Sequence, residues 1–361
     1  TCFSEGLGKI RVLKYLRMLS RLAEKFFEKD FEDANRKDIE KILAKIEASE
    51  LAAWTKRDYR VALKKFYRFL RGTDEYPPEV SWIKTSIRNS KHLLPEGLLL
   101  EEDIEKLIRA ALSARDKAFI AVLYESGARV GEILGMSIGQ IEFLDVGAAL
   151  MIHGKTGSRR IRIVSSVPYL AAWVNAHPNK GDKNAPLWVN MNYKGGGKLA
   201  HYAVIRKMLK ATAARAGLKK KVNPHHFRHS RATYLATKWT DAQMKAYLGW
   251  EQSSDMPGTY VHLSGRNMDD AVLSLYNFNK KEEEKSRLEP KKCARCGLLN
   301  ESTNERCSGC AAPLSLEAAA LLVQKMDAEE KLHKLQAEFL GWWASPEGKE
   351  FRERMNKKLS E

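Results

Sequence analysis

The chain has 361 residues, 44% of them apolar, with few prolines and glycines, a composition typical of folded proteins. Its length is sufficient for two or three domains, each with its own hydrophobic core. No stretch holds the roughly 18 to 20 uninterrupted apolar residues that cross a bilayer, so we expect no transmembrane helix.

The charge balance favours a polyanionic partner. The formal net charge is +17, and not one Asp or Glu occurs from Lys183 to Thr240, while basic residues recur throughout that stretch. A surface charge of this sign could also serve solubility alone. Its concentration in one segment is instead typical of binding to nucleic-acid phosphates, so we expect a nucleic-acid partner.

Residues 1–90 are predicted to form a basic helical module. In KIRVLKYLRMLSRLAEKF, apolar residues recur every three to four positions and predict a helix with one apolar face. NRKDIEKILAKIEAS repeats the pattern behind Asn35, the predicted N-cap, and WTKRDYRVALKKFYRFL predicts a third helix. The apolar face predicted for the first helix comprises Ile10, Leu13, Leu16, Leu19, Leu22 and Phe26.

Residues 94–280 are predicted to form a second domain of mixed α and β structure, joined to the first by a linker around residues 88–95. The long apolar runs of DKAFIAVLYESGARVGEILGM are typical of buried helices. Two β-prone runs in AALMIHGKTGSRRIRIVSS predict a hairpin, and helices resume from Tyr202.

Four of the five cysteines have metal-binding spacing. Within residues 290–313, two Cys-x-x-Cys pairs are separated by ten residues. Tetrahedral zinc binds four thiolates, so we predict a four-cysteine zinc ribbon with one structural Zn²⁺; two disulfides are the alternative. Such cysteine usage also favours a reducing, cytoplasmic compartment. The four predicted ligands are Cys293, Cys296, Cys307 and Cys310.

Residues 314–361 are predicted to form an amphipathic helical tail. Met326, Leu332, Leu335 and Phe339 fall on one face of this helix. That face would either cap the zinc ribbon or meet a neighbouring protomer, and the pattern does not choose between the two.

Two stretches of the second domain offer basic residues for binding phosphate. Arg129, in ESGARVGEILGM, precedes Glu132 by one helical turn, and Glu132 can orient its guanidinium through a charge-assisted pair. An ordinary ion pair at the start of a helix has the same pattern. Lys155 lies in the predicted turn HGKTGS, where its ammonium either reaches a bound backbone or is simply solvated.

A third stretch, NPHHFRHS, is rich in histidine. His225 and Arg228 stand three apart and share a helix face; an Arg fork suits phosphate oxygens, and an imidazole can move a proton. A metal site is disfavoured here because Arg228 would repel a cation. We interpret His226 and His229 as structural or DNA-adjacent residues.

The order of these residues resembles the catalytic series of the tyrosine recombinases, the phage integrase family. SGARVGEILGM is similar to that family's first-arginine box, PHHFRHSRATYL to its His-x-x-Arg box and YLGW…TYVH to its nucleophile box. Trp250 occupies a position that is His or Trp across the family. The resemblance covers residues 94–275, and the helical module fits the family's core-binding, DNA-binding domain by position and charge.

The spacing within the nucleophile box resembles one branch of the family. Trp250 and Tyr260 are ten residues apart, one more than in the common bacterial pattern. With the Cys-x-x-Cys pair that follows, the segment looks like the archaeal branch, including integrases of archaeal plasmids and viruses.

The resemblance implies a mainly α fold with a small β-hairpin or sheet, and a reaction through a 3′-phosphotyrosyl intermediate. Tyr260 would be the nucleophile, and Glu132 and His262 would be supporting residues. Neither a catalytic metal nor ATP is implied. The implied catalytic residues are Arg129, Lys155, His225, Arg228, Trp250 and Tyr260.

The resemblance further implies a homo-tetramer that acts on double-stranded DNA attachment sites and integrates or excises a mobile element. We therefore expect a cytoplasmic, DNA-associated enzyme that is not bound to a membrane. Three alternatives remain open: a Xer-like chromosome-dimer resolvase, a type IB topoisomerase, and a catalytically silent DNA-binding regulator of the same fold.

Overall fold

A computed structural model describes residues 6–86, 97–154, 157–191, 199–263, 273, 276 and 286–359. The chain divides into two compact units, residues 1–92 and 93–361. Within the described ranges, no helix has the length and apolarity needed to cross a membrane. The predicted linker around residues 88–95 lies outside the described residues.

The first unit is helical, as the apolar spacing predicts. Asn35 caps its second helix, because the Asn35 side chain accepts hydrogen bonds from the backbone N–H groups of Lys37 and Asp38. Pro78 opens only a short helix, with Pro77 at its N-cap. The helices are α1 (Lys9–Lys25), α2 (Arg36–Ala48), α3 (Ala53–Leu70) and α4 (Pro78–Ser81).

The predicted apolar face of α1 is only partly buried. Leu22 is fully buried in the core of this unit, and Leu19 and Phe26 pack against that core. Ile10 and Leu16, nearer the start of the helix, are 86% and 57% exposed. The core of this unit therefore contacts only the second half of the apolar face of α1.

The second unit is mostly helical and holds a small sheet. Three strands form an antiparallel sheet in the order β1-β2-β3, and Gly154 pairs with Gly157 at the end of the predicted hairpin. The sequence predicts the hairpin of β2 and β3 but not β1. The elements are α5 (Glu101–Ala110), α6 (Ala114–Ser126), α7 (Val130–Leu134), β1 (Ile141–Phe143), β2 (Ala148–Gly154), β3 (Gly157–Ile163), α8 (Val167–Asn175), α9 (Tyr202–Arg215), α10 (Pro224–Ala236), α11 (Asp241–Leu248) and α12 (Met256–Leu263).

Helix α6 is the centre of this unit. It is buried on nearly every side and contacts α5, α8, α10 and β3, in agreement with its long apolar run. Phe119 of α6 packs edge-to-face on Trp188, with ring centroids 5.0 Å apart. Because α10 also packs on α6, the two arginine-bearing segments of the sequence are held next to each other.

The cysteine segment, residues 290–313, belongs to the second unit and packs against its helix α8. It contains β4 (Lys291–Lys292) and β5 (Leu299–Asn300), which pair antiparallel. The Tyr169 hydroxyl of α8 forms hydrogen bonds of 3.0 and 3.1 Å with the hydroxyls of Ser302 and Thr303. Beyond it lie α13 (Leu316–Ala344) and α14 (Pro346–Leu359), and the predicted apolar face of α13 is largely exposed.

Candidate active site

The guanidinium of Arg228 is a buried cation in the site. Arg228 lies on α10 and is 9% exposed. Its Nη1 donates a 2.9 Å hydrogen bond to the Gly127 carbonyl, and its Nη2 donates a 2.8 Å bond to the Leu248 carbonyl. Both carbonyls stand at helix C-termini, where the helix dipole is negative and favours a cation. A buried cation is thus satisfied by main-chain acceptors.

Glycines make both of these helix ends possible. Gly127 ends α6 with a φ of +55°, and Gly249 ends α11 with a φ of +67°. A Cβ at Gly127 would come within 2.8 Å of the Leu248 side chain, and one at Gly249 within 2.5 Å of the Arg159 guanidinium. Both positions therefore require glycine for conformation and for space.

Burial and neighbouring charge act on the Arg228 guanidinium. Desolvation, followed by repulsion from Arg129, lowers the pKa of Arg228 to about 10. The guanidinium remains fully protonated at neutral pH. The site therefore contains a permanent positive charge. The described hydrogen bonds of Arg228 go to main-chain carbonyls and not to a carboxylate.

A second cationic cluster surrounds Glu132. Its carboxylate binds Arg129 Nη1 at 2.9 Å and Arg159 Nη2 at 2.7 Å, and the Glu132 side chain is 5% exposed. Burial raises the pKa of Glu132, but the hydrogen bonds from Arg159 and Arg129 outweigh burial, and the net shift is downward. Arg129 is 40% exposed and also reaches the Gly249 carbonyl at 3.3 Å. One carboxylate thus orients an accessible guanidinium and ties β3 to α7.

Tyr260 lies on α12 and is 2% exposed. Its ring stacks on Trp250, with centroids 5.5 Å apart and an interplanar angle of 12°. Trp250 in turn lies 5.5 Å from the Arg228 guanidinium carbon, within the range of a cation–π contact. The Tyr260 hydroxyl and His229 Nδ1 are joined by a 2.8 Å hydrogen bond.

The remaining predicted residues lie around this cluster or outside the described part of the chain. His225 is exposed and precedes His229 by one turn of α10. Lys155 lies between β2 and β3, outside the described residues, and the His262 side chain is not described. The structure therefore brings Arg129, Arg228 and their neighbours into one site; the catalytic roles remain predictions.

Two residues of this site are not identified by their sequence pattern. The sequence suggests a structural or DNA-adjacent role for His229, yet this histidine contacts the Tyr260 hydroxyl. Its position four residues after His225 is a signal that could have placed both on one helix face. Arg159 has no distinguishing spacing, because it stands in a strand with two other arginines, Arg160 and Arg162.

The four clustered cysteines form a second candidate site. Their sulfur atoms all lie within 4.8 Å of one another. Cys293 and Cys310 are 3.6 Å apart at sulfur, and Cys296 and Cys307 are 3.5 Å apart. A disulfide requires about 2.05 Å, so the disulfide alternative does not describe this arrangement. The cluster is suited to hold a metal ion.

Two sequence families match the chain. The model for the N-terminal SAM-like domain of phage integrases matches residues 5–73, and the model for the phage integrase family matches residues 98–266. Together they cover about two thirds of the chain. The second match contains the whole candidate active site.

Known tyrosine recombinases are similar to this chain. Tyrosine recombinase XerD of Lacticaseibacillus casei is 29% identical over 219 residues, which cover 57% of this chain and 71% of that protein. Tyrosine recombinase XerA of Pyrococcus furiosus is 28% identical over 272 residues, which cover 74% of this chain and 88% of that protein.

Solved structures show the same fold. XerH recombinase, in a post-cleavage complex with its palindromic difH substrate, has a TM-score of 0.59 at 21% identity, over 75% of this chain and 81% of its own. A lambda integrase dimer bound to a COC′ core site has a TM-score of 0.58 at 15% identity, over 73% and 75%. The chain is a tyrosine-type site-specific DNA recombinase and belongs to the phage integrase family.

Proposed function

We propose that Tyr260 is the nucleophile that cleaves DNA, and that Arg129 and Arg228 bind the scissile phosphate. The observation that carries this proposal is the cluster in which Tyr260, Trp250 and the Arg228 guanidinium lie in successive contact. Phosphoryl transfer places negative charge on the non-bridging oxygens, and preorganised guanidinium groups stabilise that charge. A lone buried Tyr without this neighbourhood would have no such use.

Cleavage in this proposal exchanges one phosphate ester for another. The Tyr260 oxygen bonds to phosphorus, the bond from phosphorus to the 5′-oxygen breaks, and Lys155 supplies a proton to the departing oxygen. His225 assists proton transfer at the phosphate, and Trp250 packs against the nucleophile. The bond energy is kept in the phosphotyrosine, and a 5′-hydroxyl from the partner strand reverses the attack. No catalytic metal and no ATP enter this scheme.

Glu132 has a positioning role in this proposal. Its contacts with Arg129 and Arg159 hold one guanidinium toward solvent and anchor the strand that follows Lys155. Free arginine side chains lose considerable rotamer entropy when they bind a phosphate, and preorganisation by Glu132 reduces that loss. His262 stays a predicted supporting residue.

The biological role that we favour is integration and excision of an archaeal mobile element by a homo-tetramer on double-stranded attachment sites, in the cytoplasm. The ten-residue spacing of Trp250 and Tyr260 and the appended cysteine cluster support this role. Chromosome-dimer resolution is the second candidate, because several relatives are named Xer recombinases. A lambda integrase tetramer bound to a Holliday junction has the same fold, which supports the tetramer.

The cysteine cluster is proposed to bind one structural Zn²⁺. A zinc–sulfur distance of about 2.3 Å implies sulfur atoms about 3.8 Å apart in a tetrahedral site. The 3.5 and 3.6 Å separations within the cluster fit that geometry. Four cysteine ligands leave no open coordination position, so the ion would stabilise the ribbon and its contact with Tyr169 and take no part in strand transfer.

Substitution Tyr260→Phe is expected to abolish covalent attachment to DNA, because it removes the attacking oxygen and keeps the ring that stacks on Trp250. A nicked suicide duplex, carrying a site that the protein selects from a randomised duplex library, is incubated with wild type and variant. Denaturing electrophoresis should show a protein–DNA band for wild type and none for Tyr260→Phe.

A matched control for this experiment is Tyr276→Phe, which changes an exposed tyrosine. We expect it to form the band at the wild-type level. A band that persists in Tyr260→Phe would overturn the assignment of the nucleophile. If wild type binds the selected site but never forms the band, the protein is a DNA-binding regulator of this fold.

Substitution Glu132→Gln is expected to destabilise the protein by about 3 kcal/mol at pH 7, because the largely buried Arg159 guanidinium loses its counter-charge. The lowered pKa of Glu132 makes its stabilisation fully present above pH 4.5, and this stabilisation is lost as the pH falls through the folded-state value. The difference in free energy of unfolding between wild type and Glu132→Gln, measured by urea denaturation, should therefore narrow only below pH 4.5.

The control for this prediction is Glu142→Gln, which changes an exposed ion pair with Arg160. It should lower the free energy of unfolding by about 0.5 kcal/mol or less. Equal losses for the two variants would contradict the role of Glu132.

Substitution Cys293→Ser is expected to remove zinc, since three thiolates bind the ion more weakly than four. Metal analysis of dialysed protein should give about one zinc per chain for wild type and clearly less for the variant. Cys2→Ser, which changes the cysteine outside the cluster, should keep the wild-type content. Wild-type protein without zinc, even after refolding in its presence, would refute the zinc ribbon.

A further inference from the structure

Nucleophilic attack by a tyrosine requires a group that takes the phenolic proton. Desolvation raises the pKa of Tyr260, and the nearby charge of Arg228 only partly offsets this. The hydroxyl is therefore protonated at neutral pH. A base in contact with the hydroxyl would remove this barrier to attack.

His229 is the residue whose side chain contacts the Tyr260 hydroxyl in the described part of the chain. The distance from the hydroxyl oxygen to His229 Nδ1 is 2.8 Å, and the rings are tilted by 37° with centroids 5.8 Å apart. His225, the histidine of the predicted His-x-x-Arg pair, lies one turn earlier on α10 and is exposed. The position of His225 suits a contact with incoming DNA, whereas His229 already contacts a reacting atom.

The surroundings of His229 suit a proton acceptor. Burial, and then the positive potential of its neighbours His225, His226 and Arg228, lowers the pKa of His229. A neutral imidazole with its proton on Nε2 has a free lone pair on Nδ1, to which the Tyr260 hydroxyl donates. Helix α10 is held against Tyr260, because its residues Ala232, Leu235 and Ala236 share one apolar cluster with Tyr260 and with residues of α11.

We propose that His229 is the general base for Tyr260, an inference that rests on Tyr260 being the nucleophile. During cleavage the O–H bond of Tyr260 breaks and its proton passes to His229 Nδ1, the Tyr260 oxygen bonds to phosphorus, and the bond from phosphorus to the 5′-oxygen breaks as that oxygen takes a proton from Lys155. During rejoining, the 5′-oxygen of the attacking strand bonds to phosphorus and its proton passes to Lys155, the bond from phosphorus to the Tyr260 oxygen breaks, and His229 returns the proton to that oxygen. The same group thus acts as base in one direction and acid in the other.

The groups around His229 and Tyr260 that can titrate or carry charge lie on several helices and one strand. Helix α11 contributes the apolar Met244 and Leu248 to the cluster around Tyr260, and its Tyr247 packs against that cluster. Burial raises the pKa of Tyr247, so this phenol stays neutral in the range where histidine titrates. The other groups are His225, His226, Arg228 and Tyr234 on α10, Arg129 and Glu132 at α7, and Arg159 on β3.

The test separates the two histidines by the pH dependence of single-turnover cleavage on the suicide duplex. An asparagine amide oxygen can replace Nδ1 as a hydrogen-bond acceptor but does not take up a proton at neutral pH. His229→Asn should lower the cleavage rate on the order of 100-fold at pH 7. Circular dichroism and gel-shift binding of the variant should match wild type.

The shape of the profile identifies the base. Wild-type cleavage should rise with pH through the lowered His229 pKa, below pH 6.5, and then level off. His229→Asn should lose this inflection and continue to rise toward ionisation of the phenol. His225→Asn should keep the inflection, whatever its rate, because its role is at the phosphate.

Three results would overturn the inference. The first is His229→Asn cleavage at or above the wild-type rate; the second is a slow His229→Asn reaction that keeps the inflection. The third is loss of the inflection in His225→Asn alone. A covalent band that survives in Tyr260→Phe would instead overturn the nucleophile assignment and this inference with it, so the two failures are distinguishable.

Discussion

The arrangement of this site depends on one buried cation. The described hydrogen bonds of the Arg228 guanidinium include no carboxylate, and two helix-terminal carbonyls satisfy it. Burial of a charge costs several kcal/mol unless acceptors compensate it, so these carbonyls cannot move without penalty. Their helices, α6 and α11, are thereby held against α10 at the point where both end in a left-handed glycine. The chain following α11 then leads directly to Trp250 and on to Tyr260.

A second constraint connects this buried cation with the surface. Glu132 divides its carboxylate between Arg129, which solvent reaches, and Arg159, which solvent hardly reaches. Arg159 also donates to the Tyr247 carbonyl on α11, so the sheet, α7 and α11 share one set of polar contacts. A phosphate that approached Arg129 would therefore meet a guanidinium that contacts the same C-terminus of α11 as Arg228 does. Site geometry and fold stability are linked through these few side chains.

Much of the fold and part of the site follow from the sequence. Apolar periodicity predicts α1, α2 and α3, and the Asn35 cap follows from local chemistry, because both depend on neighbours in the chain. The resemblance to the family boxes predicts Arg129, Arg228 and Tyr260 as site residues. The exposure of the first half of α1, the strand β1 and the contact of Tyr169 with the cysteine segment depend on packing between distant segments, which periodicity does not encode. The contact between His229 and Tyr260 is of the same kind, since it joins residues thirty-one positions apart on different helices.

The nucleophile is identified most directly by locating the atom that becomes linked to DNA. The covalent complex formed on the suicide duplex is digested with protease and nuclease, and the remaining nucleotide-bearing peptide is sequenced by mass spectrometry. We expect a single nucleotide 3′-phosphate adduct on Tyr260, within the peptide that contains MPGTYVHL. An adduct on any other residue, or one shared among several tyrosines, would contradict the assignment of Tyr260 as the nucleophile.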